Sequence, residues 1–455
     1  MGLTMQGFLV SEKAAALPFA IESGLPGIGS IIPITRDALS FFTRILRDRG
    51  DRVMLRVLGR RVVLLAHPDD IEEVLVRNRE AYGRSHELRA LRPIFGEGLL
   101  SSEGQLWRRQ RSLIQPSFQH DALRKYSYLM LSKIERVLEQ WRSGGVRNIH
   151  PEMMLYTRKV ICACLFGDML PDEQALGDAV DTVFGELRSE VLYLNLWRKL
   201  PLKRSREWNK AVLLLNHAIS NKIRERRDSA TSHDDLLGAL LTAHDAQGEM
   251  QSQQVHDEIL TFFLAGHETA ALSITWALSL LAAHPDAQER IAEEVATVTG
   301  GAGLTPEHAT KLPWTAAVVK EAMRLYPPVW SMGRKTSCDT TLAGQPLREG
   351  TDVWICVYQL HRDPRWFDQP DRFLPTRWLD QPPPKPFTYV PFGIGPRVCI
   401  GQHFALTEAV LALASIVSRF HLTAPGGKVV TPSAWITLRP KQAVMLQLSE
   451  RAQCI

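Results

Sequence analysis

The sequence predicts a mainly α-helical fold with small β-sheets, built as a single domain, and three observations carry that expectation. Val255 to about Ala283 keeps helix-like apolar spacing without interruption until His284-Pro285. At 1.5 Å per residue this is a rod of about 43 Å, long enough to cross a whole domain. Segments that alternate like strands are short and scattered among helical ones. No repeat, low-complexity tract or composition shift divides the 455 residues into modules. Hydrophobic residues at 45% and charged residues at 23% exclude a disordered, coiled-coil or collagen-like chain. The net charge of +5 is too weak over this length to require a nucleic-acid partner.

Residues 1–24 read as a lead segment. The apolar run Ala14–Ile21 is broken by Pro18 and falls short of the roughly 20 residues that span a bilayer. Lys13 comes late and beside Glu12, unlike a signal peptide, and Gln6 replaces the Ser or Thr of a myristoylation site. The cysteines at 162, 164, 338, 356, 399 and 454 form no CxxC pair or zinc spacing, which fits a reducing cytosol. A soluble cytoplasmic chain is expected, with residues 25–455 as its one domain.

Arg52 to Ala66 reads as a β-hairpin turning at Leu58-Gly59-Arg60, and His67-Pro68-Asp69-Asp70 opens a helix. The second half of the long helix is apolar nearly all round and should be buried. Gly300-Gly301 closes the next helix, Thr305-Pro306 caps another, and Pro313 starts one that ends at Pro327-Pro328. Strand-like segments follow around Arg334, at Asp352 to Tyr358 and at Trp435 to Leu448. Pro382, Pro383, Pro384 and Pro386 make a rigid loop.

Phe392-Gly393-Ile394-Gly395-Pro396-Arg397-Val398-Cys399-Ile400-Gly401 is the segment richest in chemistry. Its glycines and proline force a tight loop that ends in a cysteine just before a helical pattern (Phe404, Ala405, Leu406, Ala409, Val410, Leu411). A cysteine at a helix N-terminus meets free N–H groups and the positive dipole end, which lower its pKa and favour a thiolate. Such a group serves a metal centre or a nucleophilic attack. The competing reading is a buried structural cysteine after a turn.

Phe392, Gly395, Arg397 and Cys399, with Gly401 after them, resemble the haem-binding loop of cytochrome P450 monooxygenases. Four further segments resemble motifs of that family in the same order: Trp107 to Arg111, Ala265-Gly266-His267-Glu268-Thr269, Glu321 to Arg324, and Pro370-Asp371-Arg372-Phe373. The resemblance runs from about residue 25 to the C-terminus. It implies the P450 fold, with the long helix over a haem b group (iron protoporphyrin IX) and Cys399 as the iron ligand. A thiolate there favours O–O cleavage, N–H groups near Ile400 and Gly401 temper it, and Phe392 covers that side. Trp107, Arg111, Arg334 and Arg397 match the family's contacts to the haem propionates. Each of these arginines has an ordinary surface reading as the alternative.

Glu321 and Arg324 lie three apart on one helix face, and the resemblance makes Arg372 the third member of their buried network. Ala265 and Gly266 let a planar cofactor approach the central helix. Thr269 can bond the Ala265 carbonyl and bend the helix, and Glu268 offers an acid for proton delivery. His267 is not expected to be a ligand. The implied reaction inserts one oxygen atom of O2 into a C–H or C=C bond of an apolar substrate, a terpenoid or fatty-acyl compound first. The alternatives are a peroxide-driven hydroxylase, a haem-thiolate isomerase and, from a non-enzyme class, a haem sensor. By resemblance the substrate pocket is lined by the loop Leu88 to Leu100, Phe262, Phe263, Val329, Trp330 and Ile436. Electrons should come from NAD(P)H through a separate ferredoxin or flavodoxin with its reductase, docked on a basic patch at Arg108 and Arg109. A monomer is expected.

Overall fold

Ser252–Ala282 is one helix through the centre of the fold. It starts earlier than the apolar pattern because Gln254 Oε1 accepts the Gln251 N–H at 3.1 Å and closes the first turn. The structure, a computed structural model, describes residues 19–141, 145–167, 173–193, 202–229, 233–245, 248–379, 385–427 and 430–451. Residues 1–18 of the lead segment, Pro382 to Pro384 and Cys454 lie outside them.

Two hydrophobic cores grip the central helix at its two ends. Ile274, Leu278 and Leu281 pack with Met153, Val160, Leu411 and Ile416 from the helices Ile149–Phe166 and Gln402–Arg419. Ile259, Leu260 and Leu264 pack with Phe166, Val180, Trp208 and Leu215. The stretch Ala265–Thr269 falls between the two cores on the helix, and Ala265 on it is exposed.

The main sheet has six strands in the order Ala20–Glu22, Arg52–Val57, Arg60–Leu65, Asp352–Ile355, Met332–Thr336 and Tyr82–Arg84. The expected hairpin is present, its turn made by Leu58 and Gly59 at φ 50° and 78°, the left-handed pair that matches strand twist. Phe42 and Ile45 of the helix Ile31–Arg49 cover one sheet face against Val53, Leu55 and Leu64. Because Ala20–Glu22 pairs with the second strand, the fold begins before residue 25. Thr305-Pro306 opens a 3₁₀ turn, Pro306–Lys311, rather than an α-helix. Trp435 is not in a strand: it lies in the turn of a hairpin formed by Pro432–Ala434 and Leu438–Pro440.

Glu321 and Arg324 have no exposed side-chain surface and bond at 2.8 and 2.9 Å. Glu321 also accepts the Leu374 N–H, Arg377 Nε and the Trp378 indole N–H at 3.0, 3.1 and 2.8 Å. Arg324 donates onward to the carbonyls of His361, Pro370 and Arg372. The third charged member of the cluster is therefore Arg377. Arg372 contributes only its carbonyl, while its exposed guanidinium turns back to Gln369. Five residues of chain after Arg372, the turn Pro375–Trp378 brings Arg377 inward, a fold-back that the local pattern does not announce.

Burial alone would raise the Glu321 pKa, but Arg324, the Leu374 N–H and Arg377 more than offset it and hold the carboxyl below its ordinary value. Its contribution to stability is thus complete above about pH 4.3 and is lost as pH falls through the lower folded value. Arg377→Ala should cost about 1–3 kcal/mol in urea unfolding at pH 7. Arg372→Ala should stay within about 0.5 kcal/mol of wild type.

Candidate active site

Gly393 and Gly395 hold φ of 72° and 73°, which L side chains rarely adopt. A Cβ on Gly395 would also sit 2.4 Å from the Leu75 carbonyl oxygen. The loop closes when the Cys399 N–H donates to Phe392 O at 2.9 Å, and Arg111 Nη1 ties its last turn by donating to Val398 O at 2.8 Å. The Cys399 thiol is accessible, yet protein surrounds it. That enclosure raises its pKa above the ordinary thiol value, against the pull of the Gly401 N–H and Arg111. The lowered value expected from the helix N-terminus is therefore corrected. The donors are in place, but desolvation outweighs them.

Three guanidinium groups gather at one edge of the site. Arg84 and Arg334 are directly opposite on adjacent antiparallel strands, an arrangement that is unfavourable for like charges. Arg397 joins them and reaches Ser102 O at 3.2 Å. Burial, with the charges of Arg397 and Arg334, lowers Arg84 well below the usual guanidinium value. Arg334 is lowered to about 10 by burial and by Arg397, and Arg397 to about 10 by burial. Trp107 lies under Arg397, with the ring centroid 4.3 Å from its Cζ. Arg111 stands apart from this group, bound to the cysteine loop.

On the central helix, Thr269 Oγ1 donates to Ala265 O at 2.9 Å, as expected. Ala265 faces open space, but Gly266 does not: its missing Cβ accommodates Ile161 of the neighbouring helix, 3.1 Å away. Gly266 thus lets the neighbouring helix pack closely. His267 is buried, its Nδ1 paired with Phe263 O, and burial lowers its pKa to about 4. Glu268 is buried too, and its Oε1 accepts Thr437 Oγ1 at 2.9 Å and Arg439 Nε at 2.6 Å. Burial raises its pKa against those two partners.

A cavity of about 420 Å³ joins these parts, within the range of ligand clefts. The central helix lines it with Leu264, Ala265, Glu268 and Thr269, and the cysteine loop with Phe392, Gly393 and Arg397. Val329, Trp330 and Ile436 line it as expected, as do Leu88, Leu91, Phe95 and Leu100. Phe262 and Phe263 do not. Phe262 packs on Phe118 and Phe263 on His267, both on the core side of the helix.

The surface cations near the Trp107 helix are engaged locally. Arg108 reaches Glu80 at 3.3 Å, Arg109 donates to Gly248 O, and Arg124 and Lys125 pair with Glu307 and Asp234.

The sequence profile of the family described as Cytochrome P450 matches residues 21–447. The chain belongs to the cytochrome P450 family. It is 36% identical over 424 residues to the cyclooctatin synthase of Streptomyces melanosporofaciens, covering 91% of this chain and 92% of that one. The putative cytochrome P450 132 of Mycobacterium tuberculosis is 36% identical, covering 88% and 90% of the two chains. The pentalenene oxygenase of Streptomyces avermitilis is 32% identical, covering 94% and 96%. This P450 is a monooxygenase, and its family uses a haem-thiolate cofactor, O2 and electrons from a partner protein. Among the described residues no helix is long and apolar enough to cross a membrane.

The residues present fit haem. Three clustered guanidinium groups with little counter-charge call for carboxylates such as the propionates, and Cys399 offers an accessible sulfur. Sequence reasoning missed Arg84, Arg377 and Arg439. For Arg84 a signal existed only in strand register, which sets it opposite Arg334. Arg84→Met should therefore act in opposite senses on the two forms of this P450. The thermal midpoint of haem-free protein should hold or rise as repulsion is relieved, while haem transfer to a scavenger protein should quicken about tenfold or more, the weight of a charged hydrogen bond.

Proposed function

We propose that this P450 hydroxylates a terpenoid of largely apolar skeleton, with haem b as its cofactor. The reading is carried by one observation: the cavity between the central helix and the cysteine loop is walled chiefly by aliphatic and aromatic side chains, with few charged groups among them. The names of the cyclooctatin synthase and pentalenene oxygenase relatives support a terpenoid over a fatty-acyl compound. When bound, haem supplies the oxygen-activating redox chemistry.

The chain's own part divides by residue. Cys399 would ligate the iron through sulfur, with the Gly401 N–H and Arg111 favouring its ionised form. Arg84, Arg334 and Arg397 would hold the propionate carboxylates, with Trp107 stacked beneath Arg397. Thr269 offers a hydroxyl, bonded to Ala265 O, on the cavity wall, and Glu268 beside it in the chain is the acid that would pass it a proton. Leu264, Leu91, Phe95 and Trp330 give the cavity that Thr269 lines an apolar wall.

Electrons would arrive from NAD(P)H through a soluble ferredoxin or flavodoxin. The pairs at Arg108 and its neighbours are exposed, and exposed pairs contribute little. An acidic partner can therefore exchange with Glu80 at low cost, guided by charge.

Titrating a library of cyclic terpenes against the haem-loaded enzyme should give Soret shifts for its substrates, and turnover with an electron donor should give hydroxylated product. Fatty acids shifting the band while no terpene does would reject the substrate class. Thr269→Ala should keep the fold and lower product formed per electron pair, with hydrogen peroxide rising in its place. Arg108→Glu combined with Arg109→Glu should slow reduction by the partner steeply at low salt and less at high salt.

A further inference from the structure

The hairpin Pro432–Ala434/Leu438–Pro440 faces two ways. Its turn, Ala434 to Thr437, lines the cavity. Its Thr437 hydroxyl and the next strand's Arg439 guanidinium both bond Glu268 Oε1. The other carboxylate oxygen, Oε2, is buried with no hydrogen-bond partner. Glu268 and Thr269 share no hydrogen bond, since the threonine hydroxyl is given to Ala265 O. In this arrangement the acid is held by the hairpin, not by the hydroxyl it would serve.

Leu438 is pinned at both of its backbone groups. Its N–H donates to Pro328 O and its carbonyl accepts the Trp276 indole N–H, each at 2.9 Å. Thr437 and Arg439 flank that pin, Thr437 on the turn and Arg439 on the strand behind it. The Arg439 guanidinium also lies 5.9 Å from the Trp435 ring and 6.0 Å from that of Phe184, two cavity-lining side chains. A guest pressing on the turn therefore acts on the partner of Glu268, and by linkage the carboxylate acts on the guest's affinity.

We propose that Arg439 and Thr437 are positioning residues that tie the freedom of the Glu268 carboxylate to occupancy of the cavity: a guest packed on Trp435 and Ile436 turns the hairpin and releases Glu268 from Arg439 toward Thr269. This rests on the reading above that Glu268 handles a proton for Thr269. It supplies what that reading lacks, a reason for the acid to stay disconnected until substrate is present.

Among the described residues, the charged groups that act on Glu268 are Arg439 from the hairpin and Asp181 from the helix Glu173–Tyr193. One step further out, Arg158 of the helix Ile149–Phe166 acts on Asp181 and on His267, and Arg439 acts on His267 and on His150. Burial lowers both histidines to about 4, so they stay neutral near pH 7. Asp181 is raised, chiefly by burial. Arg439 is the cation in direct contact, and its loss must raise the pH at which Glu268 takes up a proton.

The test follows the Glu268 carboxyl stretch in the haem-loaded enzyme by infrared difference spectroscopy against Glu268→Gln, across pH. Three states are compared: wild type alone, wild type saturated with a cyclic C15 terpene hydrocarbon whose binding is established by equilibrium dialysis, and Ile436→Trp, which adds bulk at the turn without a ligand. Added bulk should raise the Glu268 midpoint by on the order of one pH unit, tenfold in proton affinity. Arg439→Gln should start high and no longer respond, and Arg439→Lys, which keeps the charge, should restore a response. A wild-type midpoint indifferent to Ile436→Trp, or one that still moves in Arg439→Gln, would overturn the proposal. Failure of the proton-handling reading shows elsewhere, as unchanged product per electron pair in Glu268→Gln.

Discussion

A carboxylate with no exposed surface has to be answered by donors, or it costs several kcal/mol, and Glu321 is that carboxylate here. Its donors come from Arg324 on its own helix and from Leu374, Arg377 and Trp378 far along the chain. The spare N–H groups of Arg324 fix the carbonyls of His361, Pro370 and Arg372. His361 passes the constraint on, since its Nε2 accepts the Val390 N–H at 2.9 Å. That bond requires a neutral ring, and burial, with the charges of Arg324 and Arg362, lowers its pKa to about 3. Val390 stands two residues before Phe392, whose carbonyl receives the Cys399 N–H. The loop that carries the thiol is thus tied to a buried charge more than seventy residues earlier in the chain, through hydrogen bonds to His361 and Val390 and the short backbone from Val390 to Phe392.

A second constraint is left open by the protein itself. The strand pairing that builds the main sheet puts Arg84 against Arg334, and the cysteine loop adds Arg397. Glu103 gives its carboxylate oxygens to the Arg84 N–H and to Arg89, and so answers the trio only in part. Sheet and loop are held apart from this edge by other forces, so the cations persist. The anionic edge of haem would complete a cluster that the chain alone leaves with little counter-charge.

How much of this could be read from the sequence depends on whether a residue acts by its neighbours or by its register. The central helix, the hairpin at Leu58-Gly59 and the glycines of the cysteine loop are local consequences of apolar period and backbone freedom, and they stand where the pattern puts them. Cys399, Thr269 and the Glu321–Arg324 pair are similarly local. Arg377 and Arg84 are not, because a turn brings in the one and a strand partner defines the other. Gly266, Phe262 and Phe263 show a different limit. Their spacing places them on the central helix, but both sides of that helix are buried, and spacing alone cannot tell the cavity side from the side packed on Ile161 and Phe118. Arg372 failed for a related reason, its carbonyl and not its side chain being the part that the network uses.

The distribution of polarity around the cavity bears on how this P450 chooses its substrate. Arg84, Arg334 and Arg397 crowd one edge, Glu268 and Thr269 mark the central helix, and aliphatic and aromatic groups fill most of the remaining wall. A wall of that kind discriminates weakly by affinity, since one methylene more or less in an apolar pocket is worth only about 1–3 kcal/mol. Selection then rests on shape, and large rings linked to one another by their own polar bonds give the wall much of that shape. Trp330 donates its indole N–H to Trp435 O at 2.8 Å and packs 5.8 Å from Phe42, so the two tryptophans form one unit spanning two elements of the fold. A guest that fits against that unit is oriented by it, and the carbon it presents toward Thr269 follows from the fit rather than from any directional bond to the guest.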